Sequence, residues 1–202
     1  MGNEASCTVR FGNQRSRGKA LLETKQLIFR GDFRLKILFS AMKSVDAAKG
    51  ELRVQGPDGE AIFELGENAA KWREKILHPK SRIEKLGVKR DARVSLLGDF
   101  QEEFRSELRE CTENVCNQAI TNDAEWIFFA ASSEKELDNV AKHAKKMRGS
   151  MALWVVYPKG QKAITELDVL ATGRKSGLKD VKVVGFSPTH TALKFVIPLA
   201  AR

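Results

Sequence analysis

Residues 125–159, EWIFFAASSEKELDNVAKHAKKMRGSMALWVVYPK, decide the fold. Residues 126–131 and 152–157 are continuous apolar runs of strand length, and runs without polar alternation suit parallel strands covered on both faces. Between them, Ser133 and Glu136 stand at capping-box spacing, the hydroxyl taking one orphan N–H and the carboxylate reaching back to the cap residue's own. Leu137, Val140, Ala141, Ala144 and Met147 then recur every three or four residues, with Lys142, Lys145, Lys146 and Arg148 toward the negative end of the helix dipole. Gly149 provides a left-handed exit. The reading is a strand, helix and strand crossing over at the centre of an open α/β sheet, which needs layers above and below it.

Before this unit, residues 93–97 form a short apolar strand that turns through Gly98 and Asp99 into a helix with Phe104, Leu108 and Cys111 inward. A strand passing through glycine into a helix is where an α/β sheet binds ligand, because helix N-terminal amides collect anions. Only one glycine is present, however, and the Asp99 charge would repel a phosphate. Residues 115–120 read as a second short strand. After the unit, Thr165 and Asp168 cap a helix with Leu167, Leu170 and Ala171 inward and Gly177 as its stop. Residues 181–186 and 192–197 close the sheet as a hairpin. Gly98, Asp99 and Ser132, with Tyr157 and Lys159 expected to point to the same C-terminal strand ends, are the candidate ligand-binding residues, each with an ordinary alternative as turn, cap, strand end or solvated loop residue.

Upstream, residues 7–65 read as short alternating strands. Residues 20–29 form one of them, and in residues 33–39 Phe33, Leu35, Ile37 and Phe39 share a face. Gly56-Pro57-Asp58-Gly59 is hairpin turn chemistry. Residues 67–77 change period and place Ala69, Trp72 and Ile76 on one side of a helix that Pro79 ends. Antiparallel strands closed by one amphipathic helix with an inward Trp resemble the pleckstrin-homology-like barrel. That resemblance implies an anion-gripping loop between the first two strands, and Arg15, Arg17 and Lys19 are the matching candidates; a solvated basic loop is the plainer alternative.

The expected architecture is therefore α+β and α/β in two domains. Residues 1–78 are an antiparallel, barrel-like β domain with a C-terminal helix, 79–92 a basic linker, and 93–202 a three-layer Rossmann-like α/β domain with an antiparallel closing strand. With 42% apolar and 30% charged residues in 202, the chain has enough hydrocarbon for two cores. The net charge is +9. Residues 1–90 hold 19 Lys and Arg against 11 Asp and Glu, and residues 91–202 hold 16 against 15. This asymmetry points to an acidic protein or polyanion as partner of residues 1–90. The cations are not interleaved with aromatics that would stack bases, which argues against RNA-type recognition. Cys7, Cys111 and Cys116 are odd in number and read as buried free thiols in a reducing, cytoplasmic setting. His78, His143 and His190 are scattered, so no metal site is expected, and no cofactor is called for. No apolar run is long enough to span a bilayer. Gly2 with Ser6 formally matches a myristoylation pattern, of a kind that recurs by chance.

The C-terminal order, a crossover pair, a helix and an antiparallel hairpin, resembles the second half of the class I methyltransferase fold. More narrowly it is similar to a bacterial family of small α/β proteins, without an assigned activity, built on a reduced version of that fold. Gly149 with Ala152-Leu153-Trp154-Val155 and Pro158-Lys159, Gly177-Leu178-Lys179-Asp180-Val181-Lys182-Val183, and Leu193-Lys194-Phe195-Val196 carry the likeness. Methyltransferase features are missing: the glycine loop is reduced to Gly98, no acidic residue ends a second strand, and Phe129-Ala130-Ala131-Ser132 replaces an Asn- or Asp-Pro-Pro-aromatic motif. The function expected is a non-catalytic two-domain binding or scaffold protein. The alternative is a degenerate methyltransferase-like enzyme or nucleotide binder acting near Gly98.

Overall fold

The computed structural model describes residues 3–201, so Gly2 and its acylation pattern lie outside the described residues. The chain divides into two compact units, Met1–Lys80 and Ser81–Arg202. Among the described residues no helix is long and apolar enough to cross a membrane.

The first unit is one antiparallel sheet of seven strands and a helix. The strands are β1 (Asn3–Phe11), β2 (Gln14–Leu22), β3 (Gln26–Arg30), β4 (Arg34–Leu38), β5 (Ser44–Ala48), β6 (Glu51–Gly56) and β7 (Gly59–Glu64), followed by α1 (Asn68–Leu77). Their spatial order is β4-β3-β2-β1-β7-β6-β5. Strict alternation sends Val9, Leu27, Phe29, Leu52, Val54 and Phe63 to one face, where Trp72 of α1 joins them fully buried. The sheet curls. A Cβ on Gly56 of β6 would stand only 3.4 Å from Ile37 of β4, although four strands separate them in the ladder order. Among the described residues the sheet does not close on itself, because β4 pairs only with β3 and β5 only with β6. Residues 20–29 are also not one strand: Glu23, Thr24 and Lys25 turn between β2 and β3, tied by Glu23 N–H to Gln26 C=O at 2.9 Å.

The second unit opens where a linker was expected. Arg82–Leu86 is a short helix, α2, with a complete capping box between Ser81 and Glu84, and it buries Ile83 and Leu86. Val88 and Ala92 are buried after it. Residues 79–92 fail as a linker because their few apolar side chains fall on one face and find a core. Then follow β8 (Val94–Leu97), α3 (Glu102–Cys111), β9 (Val115–Asn117), β10 (Trp126–Ala130), α4 (Glu134–Lys146), β11 (Ala152–Pro158), α5 (Glu166–Lys175), β12 (Lys179–Gly185) and β13 (His190–Val196). The order is β12-β13-β11-β10-β8-β9. The last four are mutually parallel, and β13 runs antiparallel to β11 and β12.

Residues of β10 and β11 alternate between two cores. Ile127, Phe129, Leu153 and Val155 pack with Leu137 of α4 and Val169 of α5, whereas Phe128, Trp154 and Val156 pack with Leu86 of α2 and Phe104 of α3. Helices thus cover both faces, which is why the central strands tolerate no polar alternation. On α5 the inward face is shifted from the expected one: Val169 and Gly173 are buried, and Leu167 is 75% exposed. Of the cysteines only Cys7 is buried, and burial with the nearby Glu64 charge pushes its thiol up to about 11.

His143 of α4 places its ring 4.7 Å from that of Phe129, and burial, then Lys146 and Lys142, lower its pKa from 6.5 to about 4. A folded-state pKa below the unfolded one means the neutral ring is favoured by folding. Its contribution is complete above about pH 6.5 and is lost as pH falls toward 4. Part exposure to solvent reduces this to about 1–2 kcal/mol. Urea titrations should therefore show His143→Gln losing less stability than wild type between those pH values; parallel curves would refute the assignment.

Candidate functional site

The parallel strands β8, β10 and β11 end together, and a small cleft opens there between Asp99, Gln101, Ser132 and His190, floored by Phe100 and Phe186. Gly98, just before it, has φ +88°, and a Cβ would lie 3.0 Å from the Ala130 carbonyl oxygen. Only glycine fits. Ser132 belongs to the start of α4: its N–H donates to Glu136 Oε2 at 2.6 Å, while Ser133 Oγ accepts from the Glu136 N–H. The carboxylate therefore reaches one residue further back than the capping-box spacing predicts. Asp99 and Ser132 both line this cleft. His190 was not foreseen, because it arrives from the β12–β13 hairpin, where Nδ1 sits 2.9 Å from Thr189 Oγ1.

An acid, a hydroxyl and an imidazole thus share one cleft, but its volume is about 50 Å³. That is room for a few waters, against the roughly 300–1,000 Å³ of ordinary small-molecule sites. Two of its lining rings, Phe100 and Phe186, belong to a larger aromatic cluster. Phe104 and Phe186 pack edge to face at 4.7 Å, Phe100 lies 6.1 Å from Phe186, and the Arg82 guanidinium stacks 5.1 Å and 4.9 Å from Phe104 and Phe186. Glu107 holds Arg82 at 2.8 Å. On the other side of Gly98, its N–H donates to Gln118 Oε1 at 3.3 Å and its C=O accepts from Gln118 Nε2 at 3.4 Å. Both backbone groups of Gly98 are therefore engaged by Gln118.

Tyr157 and Lys159 are not in this cleft. They line a separate hollow of about 220 Å³ at the start of α5, with Ile164, Thr165 and Glu166. Tyr157 is buried, not half-exposed, and its hydroxyl donates to Glu166 Oε2 at 3.2 Å. Burial, then the Glu166 charge and that hydrogen bond, raise its pKa above the usual phenol range. Lys159 Nζ donates to the Ser187 carbonyl at 2.7 Å. Among the described residues no group of three or more metal-ligating side chains comes together.

Arg15, Arg17 and Lys19 are not a loop. The β1–β2 turn is only Gly12 and Asn13, and all three cations lie on β2, pointing outward at a period of two. Arg30 of β3 and Arg34 and Lys36 of β4 share that face, with Lys19, Arg30 and Arg34 in direct cross-strand register. No carboxylate stands among the outward residues of these three strands. The outward residues of β5, β6 and β7 are the reverse: Asp46, Glu51, Glu60 and Glu64 against Arg53 alone. Glu64 bridges Arg15 at 3.4 Å and Glu4 bridges Lys19 at 2.7 Å, so Arg17, Arg30, Arg34 and Lys36 form the open cationic patch.

The charge split between the units is otherwise small. With the boundary after Lys80, the first unit holds 15 Lys and Arg against 10 Asp and Glu, and the second 20 against 16. The excess expected in residues 1–90 came partly from the basic segment around α2, which folds into the second unit. What distinguishes the first unit is the segregation of charge on one sheet, not its total.

No protein-family model matches the chain, and no curated protein matches it. Among solved structures it is similar to a SAM-dependent methyltransferase from Aquifex aeolicus, at 14% identity and TM-score 0.42, over 57% of this chain and 87% of that one. A TehB-like SAM-dependent methyltransferase from Corynebacterium glutamicum overlaps at 11% identity and TM-score 0.39, over 64% and 96%. A SAM-dependent O-methyltransferase from Thermotoga maritima overlaps at 9% identity and TM-score 0.39, over 96% and 93%. All three have TM-scores below 0.5 and identities below 15%, and they speak to no chemistry.

Proposed function

We propose that this chain is a non-catalytic two-unit binding protein. Its first unit is a pleckstrin-homology-like half-barrel that engages an acidic partner through the β2–β3–β4 face. Its second is a reduced, Rossmann-like sheet of methyltransferase type that serves as a platform. The reading of the first unit is supported by the strand order, the closing helix and the buried Trp72. The platform reading is supported by the parallel central strands with an antiparallel closing hairpin.

One observation supports the proposal above the others: the strand-end crevice, where a sheet of this kind would hold a cofactor, is lined by Phe100 and Phe186 and leaves only about 50 Å³. The alternative of a small-molecule enzyme has one point in its favour, the meeting of Asp99, Ser132 and His190. Thermal unfolding with S-adenosylmethionine, S-adenosylhomocysteine and adenine nucleotides separates the two. A ligand at a hundredfold excess over its Kd adds about 2.7 kcal/mol and raises Tm by several degrees. The proposal expects no shift with any of them; a saturable rise with one would overturn it.

A further inference from the structure

We infer that the free edge of β4 takes up an extended acidic polypeptide segment as an added strand, with alternate Asp or Glu residues beside Arg34 and Lys36 and an apolar residue beside Leu38. The inference rests on the acidic-partner reading above and gives it a surface and a geometry.

β4 ends the sheet, and β3 is the one strand paired with it. The N–H and C=O groups on its far side therefore offer an unused ladder. Added strands bind by that ladder and are selected by side chains at alternate positions. The alternate outward positions of β4 are Arg34, Lys36 and Leu38, all exposed. Their spacing of roughly 6.6–6.8 Å matches the repeat of an incoming strand. Among the described residues neither Arg34 nor Lys36 has an ion-pair partner. Leu38 is 46% exposed.

Three further observations choose the occupant. Arg30 and Arg34 stand directly opposite each other on β3 and β4, an arrangement of like charges that costs stability by itself, whereas Lys19, next in the row, is already paired with Glu4. Carboxylates placed along β4 relieve it. Leu21 of β2 and Ile28 of β3 are in register with Lys36 and half-buried on the same outer face, next to Leu38. A polypeptide with an apolar side chain can use such a row, and a phosphodiester backbone cannot. Finally, a second copy pairing through its own β4 would bring Arg34 and Lys36 of both chains together, so the cations that reject self-association favour an acidic strand. The opposite edge lacks this code: its outward residues are Ser44, Asp46 and Ala48.

The test uses the full chain and fluorescence anisotropy in low salt. The probe is a labelled ten-residue peptide with Glu at alternate positions and one Val in line with them. The controls are the same peptide with proline at two of the intervening positions, and duplex DNA of about equal charge. Proline keeps the charge but cannot donate to a ladder, so the proline peptide should bind at least about tenfold more weakly. The double variant Arg34→Glu, Lys36→Glu should lose the Glu peptide by tenfold or more and gain a matching Lys peptide. Such a reversal requires a folded protein, so it also controls for unfolding. Equal binding of the proline peptide, or DNA binding tighter than the Glu peptide with the same sensitivity to the double variant, would overturn the inference. If neither Glu peptide binds, the acidic-partner reading fails with it; if both bind equally, that reading stands and only strand addition is removed.

Discussion

Truncating Trp154 to alanine is expected to lower stability by about 3–5 kcal/mol. The ring is fully buried on β11, a central strand, between Phe128 of β10 and Lys194 of β13 in the ladder. It packs in the core that holds Leu86, Phe104 and Val184. Its indole N–H is buried without a hydrogen-bond partner, which sets a second expectation. Phenylalanine keeps most of the aromatic volume and removes a donor whose burial costs about 1–3 kcal/mol, so Trp154→Phe should cost less than about 1.5 kcal/mol. Urea unfolding of both variants decides the matter. A loss below about 1 kcal/mol for Trp154→Ala would contradict the central-strand assignment, and equal losses for the two would mean the donor is satisfied.

Adding one methyl group at Gly173 is expected to cost about 2–3 kcal/mol, although alanine is intrinsically the better helix former by about 1 kcal/mol. Gly173 lies on α5 against the buried ring of Phe195 on β13, and a Cβ there would stand 2.1 Å from Cε1 and 2.4 Å from Cζ. The helix sits on the sheet at a distance that only glycine permits. Shortening the ring should restore the space: Gly173→Ala with Phe195→Leu should be more stable than the sum of the two single losses, a coupling read from a double-mutant cycle. Additive losses would refute the contact. The contact also fixes the closing hairpin, in which β13 brings His190 to the strand ends.

The crossover unit was legible because each signal there is local. Two apolar runs, a cap at Ser133 and a glycine exit mark β10, α4 and β11 without reference to the rest of the chain. The β6–β7 hairpin was equally local. Other features were written in the sequence but outvoted. Ser81 and Glu84 stand at capping-box spacing, yet the charge around them made residues 79–92 read as a linker. Glu23-Thr24-Lys25 contains neither Gly nor Pro, so the apolar residues on either side merged into one strand. Leu167 was counted as inward by type, whereas Val169 and Gly173 show that the buried face of α5 lies elsewhere.

The candidate site was the least legible part, for a physical reason. Asp99, Ser132 and His190 come from three different connections of the sheet, and only the strand order brings them to one cleft. Its small size depends on Phe100 and Phe186, which the sequence places far apart, in the β8–α3 connection and in the last hairpin. The cationic face required the register of β2, β3 and β4. Arg15, Arg17 and Lys19 were visible as basic residues, but the row of Lys19, Arg30 and Arg34 exists only once β3 pairs with both neighbours.

Hydrogen exchange of the full chain, with and without saturating polyglutamate at low salt, tests the binding face most directly. A competing site is the basic segment Lys85, Lys89 and Arg90 around α2. Binding through the segregated face of the first unit predicts slowed exchange confined to residues 26–38, lost when salt screens the interaction. Protection at residues 82–90 with none on β3 and β4 would contradict it.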